Sequence, residues 1–431
     1  MFVSDCLDIN ARGHLTIGGC DTVSLAETFG TPLYVMDEQA IREALREFKG
    51  AMDAYAAGGR VAYASKACCF KELYRIVNEE GCGADVVSGG ELYTAIQAGF
   101  PAERLYFHGN NKSDAELRMA MEVGVGRIVV DNSTELRRLS AIAKGMGKTA
   151  SVYLRITPGV EAHTHSFIRT GQIDSKFGFT LESGEALQGA VDAVGLDAIA
   201  LKGFHCHIGS QIFDDKPFAH AAEVMLDFMD CVRKETGTVV GELNLGGGFG
   251  AKYMESDHPK ARGDMVRVLT EAVLKKAEAL HFPCPYLVIE PGRSVVADAG
   301  ITLYTVGHIK EIPGVRTYVS VDGGMPDNPR YILYQSPYTA LIANRAGENA
   351  DRTVTIAGRC CESGDLIQEN APLQACEPGD ILAVLATGAY NLSMSSNYNR
   401  LPRPAVVMTR DGRARVVVRA ETYEDLADRD V

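Results

Sequence analysis

The sequence predicts an α/β protein that consists of a (β/α)8 TIM-type barrel and a β-rich domain of barrel or sandwich type. Between residues 61 and 290, short segments rich in β-branched and aromatic residues alternate with segments of helical periodicity. Such alternation indicates parallel strands. Eight strand segments can be counted there, which is the number that closes a (β/α)8 barrel. After residue 290 the helical signal is weak, and predicted strands follow one another directly.

The predicted barrel strands are short, and helical patterns such as 115–123 and 133–144 lie between them. The longer intervals before residues 201 and 242 are then insertions of loop or extra helix. A doubly wound open sheet is the alternative, because periodicity alone does not distinguish it from a closed barrel. The strand segments are VAYASK (61–66), ADVVS (84–88), RLYFHG (104–109), RIVVD (127–131), SVYLRI (151–156), LKGFHCHIG (201–209), ELNLGGG (242–248) and YLVIE (286–290).

A separate β domain is predicted after the barrel, with turns at Pro-Gly and Asp-Gly pairs. The first 35 residues are also strand-like and can join it. The barrel, residues 36–294, is therefore predicted to be inserted into the sequence of a β domain made of residues 1–35 and 295–431. The strand segments predicted in the C-terminal part are 301–310, 316–321, 352–358, 380–386 and 405–419.

The composition excludes several classes of function. The chain has 431 residues, of which 46% are hydrophobic, and a formal net charge of −13. This acidity argues against nucleic acid or an anionic membrane surface as a partner, because both require clustered Lys and Arg. No apolar run is long enough to span a bilayer. The 11 cysteines include two adjacent pairs, and no charged-then-apolar leader is seen, so the reducing cytoplasm is the predicted compartment.

Lys66 ends the first predicted strand, on a face that otherwise carries the methyl groups of Ala62 and Ala64. In a (β/α)8 barrel, chemistry lies at the C-terminal ends of the strands. An amine at the lip of an apolar cavity is partly desolvated and can act as a nucleophile that forms a Schiff base. A surface lysine just past a strand is the alternative. Asp85, at the end of the second strand, is a further candidate on the same rim.

Gly246, Gly247 and Gly248 end the seventh predicted strand. Without Cβ atoms, the backbone can approach an anion and turn its N–H groups toward it. The loops after strands 7 and 8 of a barrel commonly bind phosphate, and Ser210 and Gly292 are candidates for further donors. A tight turn before a helix is the alternative explanation of the glycine triplet.

His205 and His207 lie two residues apart, so both are predicted to point to the same face of the sixth strand. A metal site is one interpretation. However, Cys206 faces the opposite side and no third ligand lies at ligand spacing, so we predict no metal. An imidazole that faces a ring cofactor fits better, and a histidine hydrogen-bonded in the barrel core is the alternative.

Glu290 ends the eighth predicted strand, in phase with the inward-facing Val288. A buried carboxylate needs a cationic partner. Arg293 is one such partner, which would make an ordinary ion pair, and a protonated pyridine nitrogen is another. A lysine amine, a phosphate site and a buried carboxylate on one rim together indicate pyridoxal 5'-phosphate as the cofactor.

On its motifs, the chain resembles the fold-type III pyridoxal phosphate-dependent decarboxylases, from near its N-terminus to about residue 425. The motifs are specific as a set. The resemblance implies a barrel plus a β domain, and a homodimer whose active sites are built from both subunits. The motifs are YASKA (63–67), GADVVSGGEL (83–92), THSFIRTG (164–171), SKFGF (175–179), HCHIGSQ (205–211), LGGGFG (245–250), EPGRS (290–294), CCESGD (360–365) and GAYNLSMSSNYN (388–399).

The resemblance also implies roles for the residues that contact the cofactor. Lys66 matches the Schiff-base lysine, and His207 matches the residue that stacks on the cofactor ring. Glu290 matches the partner of the pyridine nitrogen. The remaining cofactor residues implied are Asp85, Ser210, Gly247, Gly248, Gly292 and Arg293, with Tyr390 closing the site.

The substrate residues follow in the same way. Arg293, Arg330 and Tyr334 match residues that bind the distal carboxylate of the substrate, and Tyr390 matches a further substrate contact. Two more positions match residues that the partner subunit contributes. These are a cysteine that donates a proton and a glutamate that contacts the distal amino end of the substrate, here Cys361 and Glu362.

The activity that the resemblance implies is decarboxylation of meso-2,6-diaminopimelate to L-lysine and CO2, the last step of lysine biosynthesis. A carboxylate beside the ring nitrogen keeps the ring protonated and a strong electron sink, which favours decarboxylation over racemisation. Arginines can bind the distal carboxylate of this substrate bidentately. Two alternatives are a decarboxylase of another amino acid (ornithine, lysine, carboxynorspermidine or an acyl-carrier-linked substrate) and a non-catalytic relative that binds the cofactor.

Overall fold

The computed structural model describes residues 2–160 and 175–431, so the motif THSFIRTG lies outside the described residues. The chain divides into two compact units. We call them the barrel unit and the β unit. The barrel unit comprises Ala44–Gly250 and Pro259–Ser294, and the β unit comprises Met1–Glu43, Ala251–His258 and Val295–Val431.

The described residues contain strands and helices along the whole chain. The strands are β1 (Leu7–Ile9), β2 (Leu15–Ile17), β3 (Cys20–Asp21), β4 (Leu33–Asp37), β5 (Gly59–Ala64), β6 (Gly83–Val86), β7 (Leu105–Phe107), β8 (Arg127–Val130), β9 (Ala150–Thr157), β10 (Phe179–Thr180), β11 (Ile199–His205), β12 (Glu242–Asn244), β13 (Tyr286–Ile289), β14 (Gly300–Ile312), β15 (Arg316–Val321), β16 (Ala340–Ile342), β17 (Arg352–Ala357), β18 (Leu366–Leu373), β19 (Ile381–Val384), β20 (Ala405–Arg410) and β21 (Arg413–Val418). The helices are α1 (Thr22–Phe29), α2 (Glu38–Asp53), α3 (Lys71–Glu79), α4 (Gly89–Gln97), α5 (Asp114–Val123), α6 (Ser133–Gly145), α7 (Glu185–Gly195), α8 (Lys216–Thr236), α9 (Arg262–Ala279), α10 (Arg293–Val296), α11 (Arg330–Tyr334) and α12 (Tyr423–Ala427).

Eight strands of the barrel unit form a closed parallel ring. Their order is β9-β11-β12-β13-β5-β6-β7-β8, and β8 pairs with β9 to close it, with Val129 opposite Tyr153. The short strand β10 pairs with β9 in addition. The predicted (β/α)8 barrel is therefore confirmed, and the alternative of an open doubly wound sheet is wrong. The long intervals before β11 and β12 hold α7 and the 21-residue helix α8.

The interior of the ring is filled by side chains from five of its strands. Ala62, Tyr106, Val129, Tyr153 and Val288 are buried and pack against one another. They come from β5, β7, β8, β9 and β13, which lie around the ring, so their contact requires that all five point inward. Such layers of inward-facing side chains make a barrel a packed core rather than a pore.

Several barrel helices begin at a polar residue that follows the preceding strand within a few positions. The side chain of Ser88 accepts a hydrogen bond from the N–H of Glu91 at the start of α4, and Asn132 does the same at the start of α6. Ser113 and Glu116 form a capping box at the start of α5. Caps of this kind contribute about 1 kcal/mol each. They fix where each strand-to-helix connection turns, and hence the rim on which the strand-end residues lie.

The β unit contains a sheet in the order β18-β17-β15-β14-β4-β20-β21, with β19 pairing both β14 and β16. β4, from the N-terminal segment, lies between β14, to which it is antiparallel, and β20, to which it is parallel. β1, β2 and β3 form a second, small sheet. The N-terminal segment and the C-terminal region thus contribute to one β-rich unit, as predicted.

Details of the β unit differ from the sequence prediction. The first 35 residues include a helix, α1, whose N-terminus is capped by the Asp21 carboxylate. The unit boundary falls after Glu43 rather than at residue 35, and Ala251–His258 belongs to the β unit although it follows barrel sequence directly. No change of composition marks this segment, so pattern alone does not reveal it. Among the described residues, no helix is both long and apolar enough to cross a membrane.

Candidate active site

Lys66 lies in a single 3-10 turn, Ser65–Ala67, directly after β5. Its side chain is exposed, whereas Ala64 and Ala67 are buried. The exposure differs from the partial desolvation that the strand pattern predicts, because the turn takes Lys66 off the strand. The N–H of Ser65 donates to Oδ1 of Asp85, at the end of β6, over 3.2 Å. The backbone is thus anchored at the C-terminal rim while the amine stays accessible.

Glu290, just after β13, is buried among three hydrogen-bond donors. Its Oε1 lies 2.7 Å from Nε2 of His108 and accepts a hydrogen bond from the Asn244 amide at 2.6 Å. Its Oε2 lies 3.1 Å from Nε2 of His205. Burial favours the neutral acid, but the interactions with His108 and His205 outweigh it and hold the pKa of Glu290 well below its usual value. Glu290 is therefore an anion at neutral pH.

The pKa of Asp85 is shifted in the opposite direction. Burial and the negative charge of Glu290 raise the pKa of Asp85 well above its usual value, and the nearby Lys66 ammonium offsets only part of this. The pKa values of two carboxyl groups on one rim are therefore shifted in opposite directions, that of Glu290 downward and that of Asp85 upward. Such a split is typical of sites where two acids have different tasks.

His207 lies beyond the end of β11 and contacts the glycine loop, which we define as Gly246, Gly247 and Gly248. Its Nδ1 accepts a hydrogen bond from the Gly247 N–H at 3.2 Å. Burial and then the positive charge of Lys66 lower the pKa of His207 well below its usual value, so the ring is neutral and able to accept. The Gly247 N–H is therefore hydrogen-bonded to His207 in this structure. Its contact with a phosphate stays a prediction.

The glycine loop itself accepts no larger residue at two positions. A Cβ on Gly247 would lie 2.0 Å from the carbonyl oxygen of Glu290, and Gly248 has φ +114°, a region open essentially to glycine alone. Beside this loop, the buried Arg293 donates from Nη2 to the Ser210 hydroxyl over 3.1 Å. The glycine backbone, which carries no side chains, lies next to the guanidinium of Arg293. Together they form a surface that suits an anion.

Replacement of Gly247 by alanine tests this close approach. We expect Gly247→Ala to lower the free energy of unfolding by about 3 kcal/mol, because the methyl group overlaps backbone that cannot rotate away. Gly50→Ala, in the interior of α2 with no atom within 4 Å of the new methyl group, is the matched control and should stabilise by about 0.5–1 kcal/mol. Denaturant unfolding followed by circular dichroism measures both, and equal midpoints for Gly247→Ala and the wild type would contradict the overlap.

The prediction that His205 and His207 both lie in one strand and point to the same face is wrong. β11 ends at His205, so His207 lies past the strand, and His108 and Glu290 supply potential ligand atoms within 4.8 Å of that of His205. A third ligand is thus present that sequence spacing misses. The distances of 2.7 and 3.1 Å are those of hydrogen bonds between imidazole and carboxylate, which account for the contacts without an ion. The alternative of a core histidine describes His205.

Arg330, at the start of α11 in the β unit, is buried in an aromatic environment. Its guanidinium carbon lies 5.1, 5.7 and 6.0 Å from the ring centres of Tyr253, Tyr338 and Tyr390. It donates to the hydroxyls of Tyr338 and Ser336 over 3.0 and 3.4 Å. The described residues offer it no carboxylate within ion-pair distance. A buried cation without a carboxylate partner in the described part of the chain is suited to bind an anion.

The other predicted site residues of the β unit differ in exposure. Tyr334 ends α11 and is partly buried, and Tyr390 is partly buried with φ +69°. Cys361 and Glu362 are exposed, and the Cys361 N–H donates to the Asn399 side chain over 2.8 Å. Their proposed roles are therefore compatible with access from solvent or from another subunit.

The comparison with known proteins is decisive about the family. The family described as "Pyridoxal-dependent decarboxylase, pyridoxal binding domain" matches residues 38–297. The chain belongs to the pyridoxal-dependent decarboxylase family. A diaminopimelate decarboxylase of Bacillus subtilis (strain 168) is 53% identical over 431 residues, which are 100% of this chain and 98% of the relative. That of Halalkalibacterium halodurans is 50% identical with the same coverage. The crystal structure of a diaminopimelate decarboxylase from M. jannaschii with L-lysine has a TM-score of 0.93 and 37% identity, and covers 100% of this chain and 99% of that one.

The barrel unit of this decarboxylase-family chain fits pyridoxal 5'-phosphate, the cofactor of the family. An accessible lysine amine on the rim suits the aldehyde. The glycine backbone where a Cβ has no room suits the phosphate. An ionised, buried carboxylate suits a protonated ring nitrogen. These three features come from β5, β12 and β13, which are neighbours in the ring.

Three residues of the site were missed by sequence reasoning. His108 and Asn244 hold Glu290. Burial lowers the pKa of Arg155 in β9, and the negative charges of Asp131 and Glu290 offset part of this effect. The signal was available for two of them. His108 and Asn244 lie at or just past the ends of β7 and β12, so a search for polar residues at every strand end would have found them.

Proposed function

We infer that this protein catalyses the pyridoxal 5'-phosphate-dependent decarboxylation of meso-2,6-diaminopimelate to L-lysine and CO2. The family membership supports a decarboxylase, and the full-length relatives are named for this reaction. The observation that carries the choice of substrate is Arg330. It is a buried guanidinium with no carboxylate partner among the described residues, as a substrate with a second carboxylate requires.

The barrel residues have separate tasks in this proposal. When bound, pyridoxal 5'-phosphate supplies an electron sink for the electron pair left on the α-carbon as CO2 departs. Lys66 is the nucleophile whose amine would hold the cofactor aldehyde. Glu290 provides the fixed negative charge beside the ring nitrogen, and Asp85 is a carboxyl group of raised pKa on the same rim. His207 is the neutral imidazole that faces the cofactor ring.

The phosphate and the ends of the substrate are assigned to the remaining residues. Ser210, Gly247, Gly248, Gly292 and Arg293 are proposed to bind the phosphate. For the substrate, Arg330 binds the distal carboxylate bidentately. The other proposed substrate contacts are Arg293, Tyr334 and Tyr390, with Glu362 for the distal ammonium and Cys361 as the proton donor to the α-carbon.

Substitution of Arg330 tests the substrate assignment. We expect Arg330→Met to raise KM for diaminopimelate by about 10- to 100-fold, because a charge-assisted hydrogen-bond pair is lost, with a smaller change in kcat. Arg345→Met is the control, because Arg345 is a partly exposed arginine of the same unit that pairs with Asp380. Steady-state kinetics of CO2 release measures both variants. An unchanged KM in Arg330→Met would remove this residue from substrate binding.

A substrate panel tests the reaction itself. CO2 release is measured side by side from meso-diaminopimelate, L-lysine and L-ornithine. Diaminopimelate should be turned over with a kcat/KM at least about a hundredfold above the other two, because only it presents a carboxylate to Arg330. Equal or faster turnover of ornithine would assign the enzyme to another substrate. Cofactor uptake without CO2 release from any of the three would favour the non-catalytic alternative.

We also propose a homodimer in which each active site receives Cys361 and Glu362 from the partner subunit. Lys66→Ala and Glu362→Ala chains should each be inactive alone. Random mixing makes half of the dimers hybrid, and each hybrid has one intact site, so we expect about a quarter of the wild-type specific activity. Activity is measured after subunit exchange verified by native mass spectrometry. A verified hybrid dimer without activity would show that the sites are not shared.

The cytoplasm is the compartment that we propose. All eleven cysteines are free thiols in the structure, and both adjacent pairs, Cys68-Cys69 and Cys360-Cys361, are among them. Free thiols in this number are typical of proteins kept in a reducing environment. Labelling of thiols in protein taken directly from cells, without reductant, would detect any disulfide that contradicts this.

A further inference from the structure

The carboxylate of Glu290 is held by a set of donors to which nothing above assigns a task in the reaction. His108 Nε2 and the Asn244 amide both contact Oε1, at 2.7 and 2.6 Å, while among the described residues only His205 Nε2 contacts Oε2, at 3.1 Å. All four side chains are buried. The Asn244 side chain is itself fixed, because its Oδ1 accepts a hydrogen bond from the Gly246 N–H at 2.9 Å. The donors therefore cannot follow Glu290 if it moves.

The two imidazoles are buried hydrogen-bond donors to Glu290. Burial lowers the pKa of His108, and it lowers the pKa of His205 to about 4. Each ring donates one N–H to the carboxylate through its Nε2 atom. Their rings also fix each other, since they meet edge to face with centroids 4.7 Å apart. Glu290 is thus stabilised as an anion by donors whose positions are fixed.

The hydrogen bonds divide the two oxygens unequally. A carboxylate can accept about four hydrogen bonds, two on each oxygen. Oε1 has both of its positions filled, by His108 and Asn244. Oε2 has one filled, by the longer bond to His205, so among the described residues one acceptor position stays open on Oε2.

We propose that His108 and Asn244 are positioning residues which, by saturating Oε1, hold Glu290 so that Oε2 accepts a hydrogen bond from the protonated ring nitrogen of the cofactor. This rests on the proposed function, because it needs pyridoxal phosphate in the barrel. Neither residue touches the reacting atoms. Their effect should therefore appear in how strongly the protein discriminates between a cofactor ring with a nitrogen and one without.

The test uses apoprotein titrated with pyridoxal 5'-phosphate and with its 1-deaza analogue, in which a C–H replaces the ring nitrogen. The ratio of the two dissociation constants, read from protein fluorescence, reports on the contact with Glu290 independently of turnover. In the wild type the ratio should favour pyridoxal phosphate. His108→Leu, which keeps the volume but removes the donor, should reduce it roughly tenfold, the worth of a hydrogen bond to a charged group.

Three further variants make the result specific. His108→Gln keeps an N–H donor and should retain most of the discrimination, and Glu290→Gln should lose it. If His108→Leu fails to fold, Asn244→Ser provides the same test, because its hydroxyl can still serve the Gly246 N–H but no longer reaches Glu290. An unchanged ratio in a folded His108→Leu or Asn244→Ser would overturn this proposal and leave the proposed function standing. A wild type that takes up no pyridoxal phosphate would instead overturn the proposed function.

Discussion

Lys66→Ala should lower kcat for CO2 release by at least about a thousandfold, the scale on which loss of a nucleophile acts in enzymes that form covalent intermediates. The reason is that Lys66 is the amine that the structure holds on the barrel rim beside Asp85, with its side chain exposed. Direct measurement of CO2 from meso-diaminopimelate, with the cofactor at saturation, gives the comparison. Wild-type kcat in this variant would remove Lys66 from the mechanism.

Lys66→Arg separates nucleophilicity from charge. A guanidinium keeps the positive charge but is always protonated and cannot attack an aldehyde, so we expect the same loss as in Lys66→Ala. Recovery of activity in Lys66→Arg would mean that only the charge matters. Lys71→Ala is the matched control, since Lys71 is an exposed lysine at the start of α3, and its activity should equal that of the wild type.

Glu290→Gln should have the second largest effect, with a decrease in kcat of about 10²- to 10³-fold, typical of removing one preorganised electrostatic contact. Glutamine keeps the shape but removes the charge that the two histidines and Asn244 hold in place. Without that charge, protonation of the cofactor's ring nitrogen is less favourable, and the ring is a weaker electron sink. Single-turnover measurements of CO2 release isolate this step from product release.

Glu242→Gln is the control for the general cost of neutralising a glutamate on a barrel strand. Glu242 begins β12, where its carboxylate binds the Arg127 guanidinium at 2.6 and 2.8 Å and the Tyr153 hydroxyl at 2.5 Å. We expect Glu242→Gln to lower the unfolding midpoint while kcat stays within about twofold of the wild type, because it lies away from the strand ends that carry chemistry. Equal losses of kcat in both variants would mean that the effect of Glu290 is structural.

Much of the fold was predictable because strand and helix periods are local. The run from Val61 to Lys66 overlaps β5, and the alternation of strand and helix patterns that follows it predicted the closed ring. Caps such as Ser113 and Asn132 are also local signals. By contrast, the inclusion of Ala251–His258 in the β unit depends on tertiary contacts, which no window of sequence contains.

The residues of the candidate site likewise fall into two groups, those that local sequence identifies and those that only packing brings together. Lys66, the glycine loop and Glu290 could be identified because each stands at a strand end with an unusual composition. The contact of Glu290 with His108 bridges 182 positions, and it exists only because ring closure brings β7 and β13 to one interior. The tyrosines around Arg330 come from three distant segments. Such groupings are products of packing, and a single sequence does not reveal them.

The most direct measurement is to reduce the holoenzyme with borohydride, which fixes the cofactor to the lysine that carries it, and to map the modified peptide by mass spectrometry. The mass of the reduced pyridoxal phosphate should be found on Lys66, in the peptide that contains YASKA, and on no other lysine in stoichiometric amount. A label on a different lysine, or no label on a protein that releases CO2, would contradict the assignment of this barrel rim as the catalytic centre.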